Sequence, residues 1–359
     1  EISQQTGKHP GSHTSFSKIL LIQTAFIGDV ILSTAIPREL KRIYPQAVID
    51  VLVIPQTAII FQNNPNVRQV LTFDKRKPLK RLSNFPVLIS KLRKQNYDLS
   101  ISLHVSTTSS LIPVLAGIPN RLGFPRQKFS TMTIDLKKGI PVVKRSLLLL
   151  KKLSNIDFDH QTEIFPTEQD LRKSNELFEK NNIIKENTIC LAPGSIWETK
   201  RWPVEYYHHL LGMLMKAGFN CIIIGAKEDR HLLSEPNPLP VTGEQGPEAG
   251  KFINVAGEYS LLGSAAIISN CRMIICNDSA PLHLANAVQT PILAFFGPTV
   301  KRFGFFPYRD CDRVLEIDLP CRPCGKHGGR FCPEQHFRCM KDISPEMAFQ
   351  EIEEMLKTI

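Results

Sequence analysis

The sequence predicts an α/β protein of two halves, each a doubly wound parallel sheet with helices on both faces. Three observations carry that prediction. Strand-sized apolar runs alternate with helix-length amphipathic segments along the chain, the pattern of parallel sheets layered with helices. The alternation begins afresh near the middle, and 359 residues are enough for two cores. Gly, Ser and Asp stand directly after several of the strands, where open α/β sheets place ligand-binding groups. Hydrophobic residues make up 42% of the chain and charged residues 22%, which excludes a disordered polymer. The best apolar runs, such as 219–224, are strand-sized and too short to span a membrane.

Residues 1–17 are polar and lack the basic start and apolar core of a secretory signal, so they are expected to form a disordered leader on a cytoplasmic chain. The first half, 18–166, is expected to hold strands over 18–23, 49–53, 69–73, 99–103 and 121–123, with helices over 29–43, 85–95, 106–115 and 142–153. A helix over 168–180, within a linker at 167–186, is expected to bridge the halves. The second half, 187–342, is expected to hold strands over 187–191, 221–224, 252–254, 273–276, 292–295 and 313–317. Its helices are expected over 204–216, 229–233, 261–269 and 282–287, and the polar, Pro/Gly-rich stretch 234–251 reads as a surface loop. The segment 343–359 carries a last helix over 345–356.

Three strand ends point to chemistry. After the strand 187–191 come Pro193-Gly194-Ser195, then Lys200-Arg201, then Trp202-Pro203 opening a helix. A flexible turn exposes backbone N–H groups, the cations add charge and the helix start adds its dipole, so the segment suits the phosphate of an anionic, nucleotide-linked small molecule. The second end is Asn277-Asp278-Ser279-Ala280-Pro281, with Pro281 at the first helical position and His283 on the helix that follows. An isolated Asn-Asp-Ser of this kind also serves as a helix cap. Two such edges in one half favour a shared ligand cleft. The third is Phe26-Ile27-Gly28-Asp29, where Gly28 permits close backbone approach and Asp29 starts a helix whose N-terminus is expected to keep the carboxylate ionised at neutral pH. No GxGxxG accompanies it, so a dinucleotide site is unsupported.

The net charge of +10 is uneven. Residues 18–165 carry 22 Lys and Arg against 9 Asp and Glu. Lys75, Arg76, Lys77, Lys80, Arg81, Lys91, Arg93 and Lys94 form the densest group. Such a run is often only a solvated face, but a whole half this basic suggests an acidic partner such as phosphorylated lipid or a membrane surface. Nucleic acid is disfavoured, because few aromatics interleave with the cations and no reader motif appears.

Taken together, these motifs resemble glycosyltransferase family 9, the ADP-heptose:lipopolysaccharide heptosyltransferases. The likeness runs from Lys18 nearly to the end. It rests on Ile27-Gly28-Asp29 with Ser33-Thr34-Ala35-Ile36-Pro37, on Ser102-Leu103-His104 and Leu115-Ala116-Gly117-Ile118-Pro119, and on Pro193-Gly194 with Lys200-Arg201-Trp202-Pro203. Asn277-Asp278-Ser279 with His283 and Phe296-Gly297-Pro298-Thr299 complete it. The motifs look closest to the heptosyltransferase II branch. Ala280-Pro281 departs from the glycine many relatives carry there.

The resemblance implies a GT-B fold, with an N-terminal acceptor-binding half facing a C-terminal nucleotide-sugar half and the last helix crossing back to the first. It implies metal-independent, inverting transfer of heptose from ADP-heptose to the lipopolysaccharide inner core, at the cytoplasmic face of the inner membrane. Asp29 would be the general base, Lys200 would stabilise the diphosphate and Asp278 would hold the heptose or neighbouring donor groups. Gly194, Ser195, Ser279 and His283 would contact the donor and Glu228 its ribose. Gly28, His104 and the Lys75, Arg76 and Lys77 group would serve the acceptor. A family member with another donor or acceptor, and a catalytically silent nucleotide-sugar-binding protein, are the competing readings; retention of Asp29, Lys200 and Asp278 argues against silence.

Cysteine usage is a separate matter. Cys190, Cys221, Cys271 and Cys276 sit in or beside apolar segments and read as small buried hydrophobes. Cys321, Cys324, Cys332 and Cys339 are spaced C-x2-C-x7-C-x6-C with His327 and His336 among them. That spacing suits a structural zinc or iron ion, and equally an ordered loop without metal. Neither makes a metal part of catalysis.

Overall fold

The computed structural model describes residues 15–74, 78–135, 139–233 and 249–359. In chain order its elements are β1 (Lys18–Ile22), α1 (Ile27–Ile31), α2 (Ala35–Ile43), β2 (Val48–Val53), β3 (Gln69–Thr72), α3 (Pro78–Gln95), β4 (Leu99–Ser102), α4 (Thr107–Leu115), β5 (Asn120–Gly123), β6 (Met132–Thr133) and α5 (Val142–Leu148). There follow α6 (Glu168–Lys180), β7 (Thr188–Ala192), α7 (Val204–Lys216), β8 (Asn220–Ile223), β9 (Phe252–Asn254), α8 (Leu261–Ser269), β10 (Met273–Asn277), α9 (Ala280–Ala287), β11 (Ile292–Phe296), β12 (Arg313–Glu316), α10 (Arg338–Lys341) and α11 (Pro345–Leu356).

These strands form two six-stranded sheets, ordered β3-β2-β1-β4-β5-β6 and β12-β11-β10-β7-β8-β9, and every pairing is parallel. Counted from its own first strand, each sheet has the order 3-2-1-4-5-6. The central strands read as unbroken apolar runs, KILLI in β1, MIICN in β10 and ILAFF in β11, because helices cover both faces of a parallel sheet. In each sheet the chain reverses its direction of travel between the first and fourth strands. A ligand crevice belongs at the carboxyl ends of those two strands. Here they are β1 and β4 in one sheet and β7 and β10 in the other.

The predicted helix over 29–43 is two helices. Ser33 Oγ donates to Val30 O at 2.6 Å and Thr34 Oγ1 to Ile31 O at 2.8 Å, and this side-chain competition for backbone carbonyls breaks the helix after Ile31. The helix expected over 142–153 stops at Leu148 and tightens into a 3-10 turn over Leu149–Lys152, and 229–233 is part of a 3-10 turn over Lys227–Leu233. Ala280, not Pro281, is the first residue of α9.

Of the expected leader, 1–14 lies outside the described residues. Phe16 is buried edge-on against Tyr44 at 5.7 Å, and the Ser17 backbone N–H donates to Asp98 Oδ2 at 2.7 Å, so the fold begins before β1. The surface loop expected over 234–251 lies outside the described residues except for its last three. The helix expected to bridge the halves, α6, packs on α8, with Asn270 Nδ2 donating to Ser174 Oγ at 3.1 Å. The last helix was expected to cross back to the first half. Instead Ala348, Ile352 and Met355 of α11 join the core of the second sheet beside α7. Its apolar stripe finds there the uncovered face of Leu210, Leu211 and Leu214.

One apolar cluster runs without a break from the first sheet into the second, including Val30 and Ile31 of α1 and Leu282 and Leu284 of α9. Polar contacts reinforce the junction. Val142 N–H donates to Gly304 O at 2.8 Å, and Gln161 Nε2 donates to Asn286 O at 2.6 Å. No described helix is long and apolar enough to cross a membrane.

Candidate active site

The strand ends flagged by sequence meet where α1 packs on α9. Asp29 lies in the first turn of α1, half-buried, seven residues beyond the end of β1. Gln23 steadies this turn, its Nε2 donating to Asp29 O at 3.3 Å. Thr24, at the same edge, sits 3.1 Å from His104 Nδ1, just past β4, and 2.9 Å from Ser109 Oγ. Asp29 and His104 thus belong to the crevice of the first sheet.

The second sheet supplies the other wall. Lys200 Nζ lies 2.5 Å from Asp278 Oδ2 and donates to Asp278 O at 3.2 Å, and both side chains are largely buried. Thr299 Oγ1 donates to the same Oδ2 at 2.6 Å. An ammonium has three N–H groups. Asp278 takes two of them, and among the described residues the third, like Asp278 Oδ1, has no partner. Lys200 is thereby held at the ends of β7 and β10 with donor capacity left for an anion.

Asn277 makes this geometry possible. Wholly buried, it accepts from Trp202 N–H at 3.0 Å and donates from Nδ2 to Pro193 O at 2.8 Å, pinning the turn after β7 and the segment bearing Lys200 to β10. Trp202 stacks on Phe295 at 4.2 Å and donates from its indole to Ile343 O at 2.9 Å. The Lys-Arg-Trp-Pro run therefore combines a cation facing the cleft with an aromatic anchor in the core.

His283 and Gly28 join the halves. A Cβ on Gly28 would stand 2.6 Å from His283 Cδ2 and 3.0 Å from Nε2, so only glycine lets α1 approach α9 this closely. His283 is buried, and among the described residues its Nδ1 has no hydrogen-bond partner. Burial first, with Lys200 adding to it and Asp278 opposing, lowers its pKa to about 4, so the ring is neutral at pH 7. It is a packing surface and a neutral polar group at the junction.

Asp29 is governed by more than its helix end. Burial raises its pKa above the ordinary carboxylate value, and this outweighs the lowering by Lys326, the Phe26 N–H, Arg145 and its own N–H. The helix end helps the carboxylate but does not decide its titration. A raised value is the direction that suits a base working near neutral pH. Lys326, in the loop after β12, and Arg145, on α5, bear no sequence signal that links them to Asp29; only the fold brings them together.

The remaining sequence candidates divide. Ser279 Oγ donates to Gly194 O at 3.3 Å, tying the two turns, and Ser195 Oγ accepts from Trp197 N–H at 3.3 Å. Glu228 is exposed. Its neighbour Asp229 instead lies over Gly194, where a Cβ would come within 2.2 Å of Asp229 Oδ2, and it accepts from Ala226 N–H at 2.9 Å. Lys75, Arg76 and Lys77 lie outside the described residues. In the first half a cavity of about 170 Å³ opens beside the start of α4, bounded by Ser106, Thr107, Ser110, Arg126, Lys128 and Phe129.

Cys190, Cys221, Cys271 and Cys276 are buried free thiols, as their apolar settings predict. Cys324, Cys332 and Cys339 line a cavity of about 70 Å³ together with Thr199, Phe331 and Phe337, and Cys321 Sγ lies 3.9 Å from His336 Nε2. Among the described residues no group of three or more His, Cys, Asp or Glu side chains is arranged to hold a metal ion. The metal expected at Cys321, Cys324, Cys332 and Cys339 is thus unsupported by the geometry.

Residues 87–334 match glycosyltransferase family 9 (heptosyltransferase). The chain belongs to that family. It is 28% identical to lipooligosaccharide heptosyltransferase 2 of Haemophilus influenzae, covering 94% of this chain and 99% of that one. Among solved structures, a family 9 glycosyltransferase from Veillonella parvula superposes with a TM-score of 0.80 at 23% identity, over 97% and 99% of the two chains. The ADP-heptose lipopolysaccharide heptosyltransferase II of E. coli superposes with a TM-score of 0.72 at 24% identity, over 94% and 98%. The two facing sheets are the GT-B fold of these enzymes.

Replacing Gly28 by Ala tests the junction. The added methyl must displace α1 or the buried His283 ring, so turnover is expected to fall at least about tenfold, roughly 1.4 kcal/mol of misplacement. Circular dichroism should stay native, and unchanged kcat/KM in Gly28→Ala would show that the approach is not needed.

Proposed function

We propose that this family 9 enzyme transfers heptose from ADP-heptose to a sugar hydroxyl of the lipopolysaccharide inner core, with inversion, in the manner of heptosyltransferase II. The observation that carries this reading is the meeting, at one junction, of a base candidate from the first sheet and a cation–carboxylate pair from the second. The names of its relatives supply the donor and acceptor class.

The chemistry follows from the residues. The acceptor hydroxyl attacks the anomeric carbon of heptose as the bond from that carbon to the diphosphate oxygen breaks. Asp29 takes the hydroxyl proton, and burial raises its affinity for one. Negative charge gathers on the departing ADP, and the remaining Lys200 N–H, with the backbone of the Gly194-Ser195 turn, meets it. Asp278 holds Lys200 in place through Oδ2 and offers Oδ1 to a heptose hydroxyl. Asp229, over the Gly194 turn and anchored by the Ala226 N–H, is better placed than the exposed Glu228 to meet ribose, since its carboxylate can accept from a diol. No step is assigned to a metal, and we read the cysteine segment as an ordered loop.

The first half faces the acceptor. The cavity at α4 presents two cations and hydroxyls near His104, which suits the anionic inner core. In this reading the enzyme works at the cytoplasmic face of the membrane with its basic half towards the surface.

Asp29→Asn keeps shape and capping ability but removes basicity, so ADP-heptose binding should persist while kcat falls roughly 10²–10⁴-fold. Activity should also fade on acidification at a pH above the ordinary carboxylate range, because Asp29 is raised and must be ionised to act. Lys200→Ala should weaken donor binding and turnover by about 1.5–3 kcal/mol. It should also lower Tm, since a buried Asp278 is left with Thr299 alone. Near-normal kcat in folded Asp29→Asn removes the proposed base.

Acceptor KM should rise with salt and in Arg126→Gln/Lys128→Gln while donor KM changes little, because exposed charges are screened over about 10 Å at 0.1 M salt. A flat acceptor KM in both series makes the basic half a solvated face. For the cysteine loop, elemental analysis of protein purified without added metal should find well under one ion per chain; a ratio near one would overturn the metal-free reading.

A further inference from the structure

The loop between β12 and α10 belongs to the second half, yet it touches the first half at the reaction centre. Its Gly329 is locked to Thr199, next to Lys200. Thr199 N–H and Oγ1 donate to Gly329 O at 3.1 and 3.0 Å, and Gly329 N–H donates back to Thr199 Oγ1 at 2.8 Å. Gly328 has φ +84°, and a Cβ there would stand 3.2 Å from Lys200 Cγ, so the loop lies flat along the lysine stem. One residue earlier, the His327 ring lies 6.3 Å from that of Phe26, the N-cap of α1 and three residues before Asp29. Lys326 comes next and is exposed. The chain thus spans the cleft from Lys200 to the turn that carries Asp29.

Resting on the reading of Asp29 as base, we propose that this loop is a strap between the halves and that Lys326 is a positioning residue for Asp29, a cation brought from the second half to keep the base ionised. Several elements face Asp29 and its helix. α5 contributes Arg145, α9 contributes the neutral His283 against Gly28, and the 3-10 turn Pro55–Phe61 contributes no titratable group. The strap contributes His327 at Phe26 and Lys326. Burial is the larger influence and raises the carboxylate, and Lys326 is the foremost charge acting against it. Ionisation of the base is therefore linked to the strap being in place. A single-half rearrangement that withdrew the strap would leave Asp29 with Arg145 and a higher affinity for its proton.

The test is the pH profile of kcat/KM with ADP-heptose and a truncated lipopolysaccharide acceptor, for wild type, Lys326→Gln, Lys326→Arg and Asp29→Asn. Lys326→Gln should move the acid limb upward by about half a pH unit, a modest shift because the ammonium is exposed. On the alkaline plateau it should recover to within about threefold of wild type, and Lys326→Arg should restore the limb. Raising the salt should narrow the gap between wild type and Lys326→Gln. A limb that stays in place, whether activity is unchanged or lowered evenly at every pH, overturns the proposal. Asp29→Asn separates the two failures: if it keeps kcat, the base assignment itself is wrong, whereas lost turnover with an unmoved Lys326→Gln limb rejects Lys326 alone.

Discussion

Gly28 meets the ring of His283 with no space for a side chain between them, and the rest of the candidate site is set by that approach. Through it α1 lies on α9, and the groups at the end of β1 come to face those at the end of β10. A longer side chain at position 28 would separate them by about the width of a methyl group. Catalysis between two sheets tolerates such a shift poorly, because the geometry of a transferring group is worth several kcal/mol. The ring tolerates the contact because it is neutral. Burial holds its pKa near 4, and a charged imidazolium beside Lys200 would be unfavourable.

Around that contact the two sheets play the same part. Each has the order 3-2-1-4-5-6, and each presents its reactive groups where the first and fourth strands diverge. Precision comes from buried polar groups that bond to more than one element. Asn277 is the clearest case, since its carboxamide joins Pro193 and Trp202 to β10. Without it, the turn after β7 and the Lys200 segment would each lose a fixed point, at a cost of about 1–3 kcal/mol for each polar group left unpartnered. The Lys200–Asp278 pair adds the electrostatics to this frame.

Much of this was legible in the sequence, for a physical reason. Strands buried on both faces must be apolar throughout, so β1, β7, β10 and β11 stand out as runs, and the Gly, Ser and Asp residues after them mark ligand-facing edges. Hence Asp29, Lys200 and Asp278 stand out as candidates from local sequence. What escaped depends on tertiary context. The break after Ile31 turns on two hydroxyls bonding back to carbonyls. The destination of α11 turns on which half leaves an apolar face uncovered. That Asp229 and not Glu228 lies over Gly194 turns on the 3-10 turn that carries them. The titration of Asp29 depends on burial and on Arg145 and Lys326, which are distant in sequence.

The central claim is that one centre is built from both sheets, with the donor diphosphate held between the turn at Gly194 and the ammonium of Lys200. A crystal structure with ADP bound tests it most directly. The account predicts diphosphate oxygens within about 3.2 Å of Lys200 Nζ and of backbone N–H groups at the Gly194-Ser195 turn, with Lys200 still paired to Asp278 and Gly28 still against His283. A diphosphate bound elsewhere, or a Lys200 that remains on Asp278 without touching it, would contradict the account.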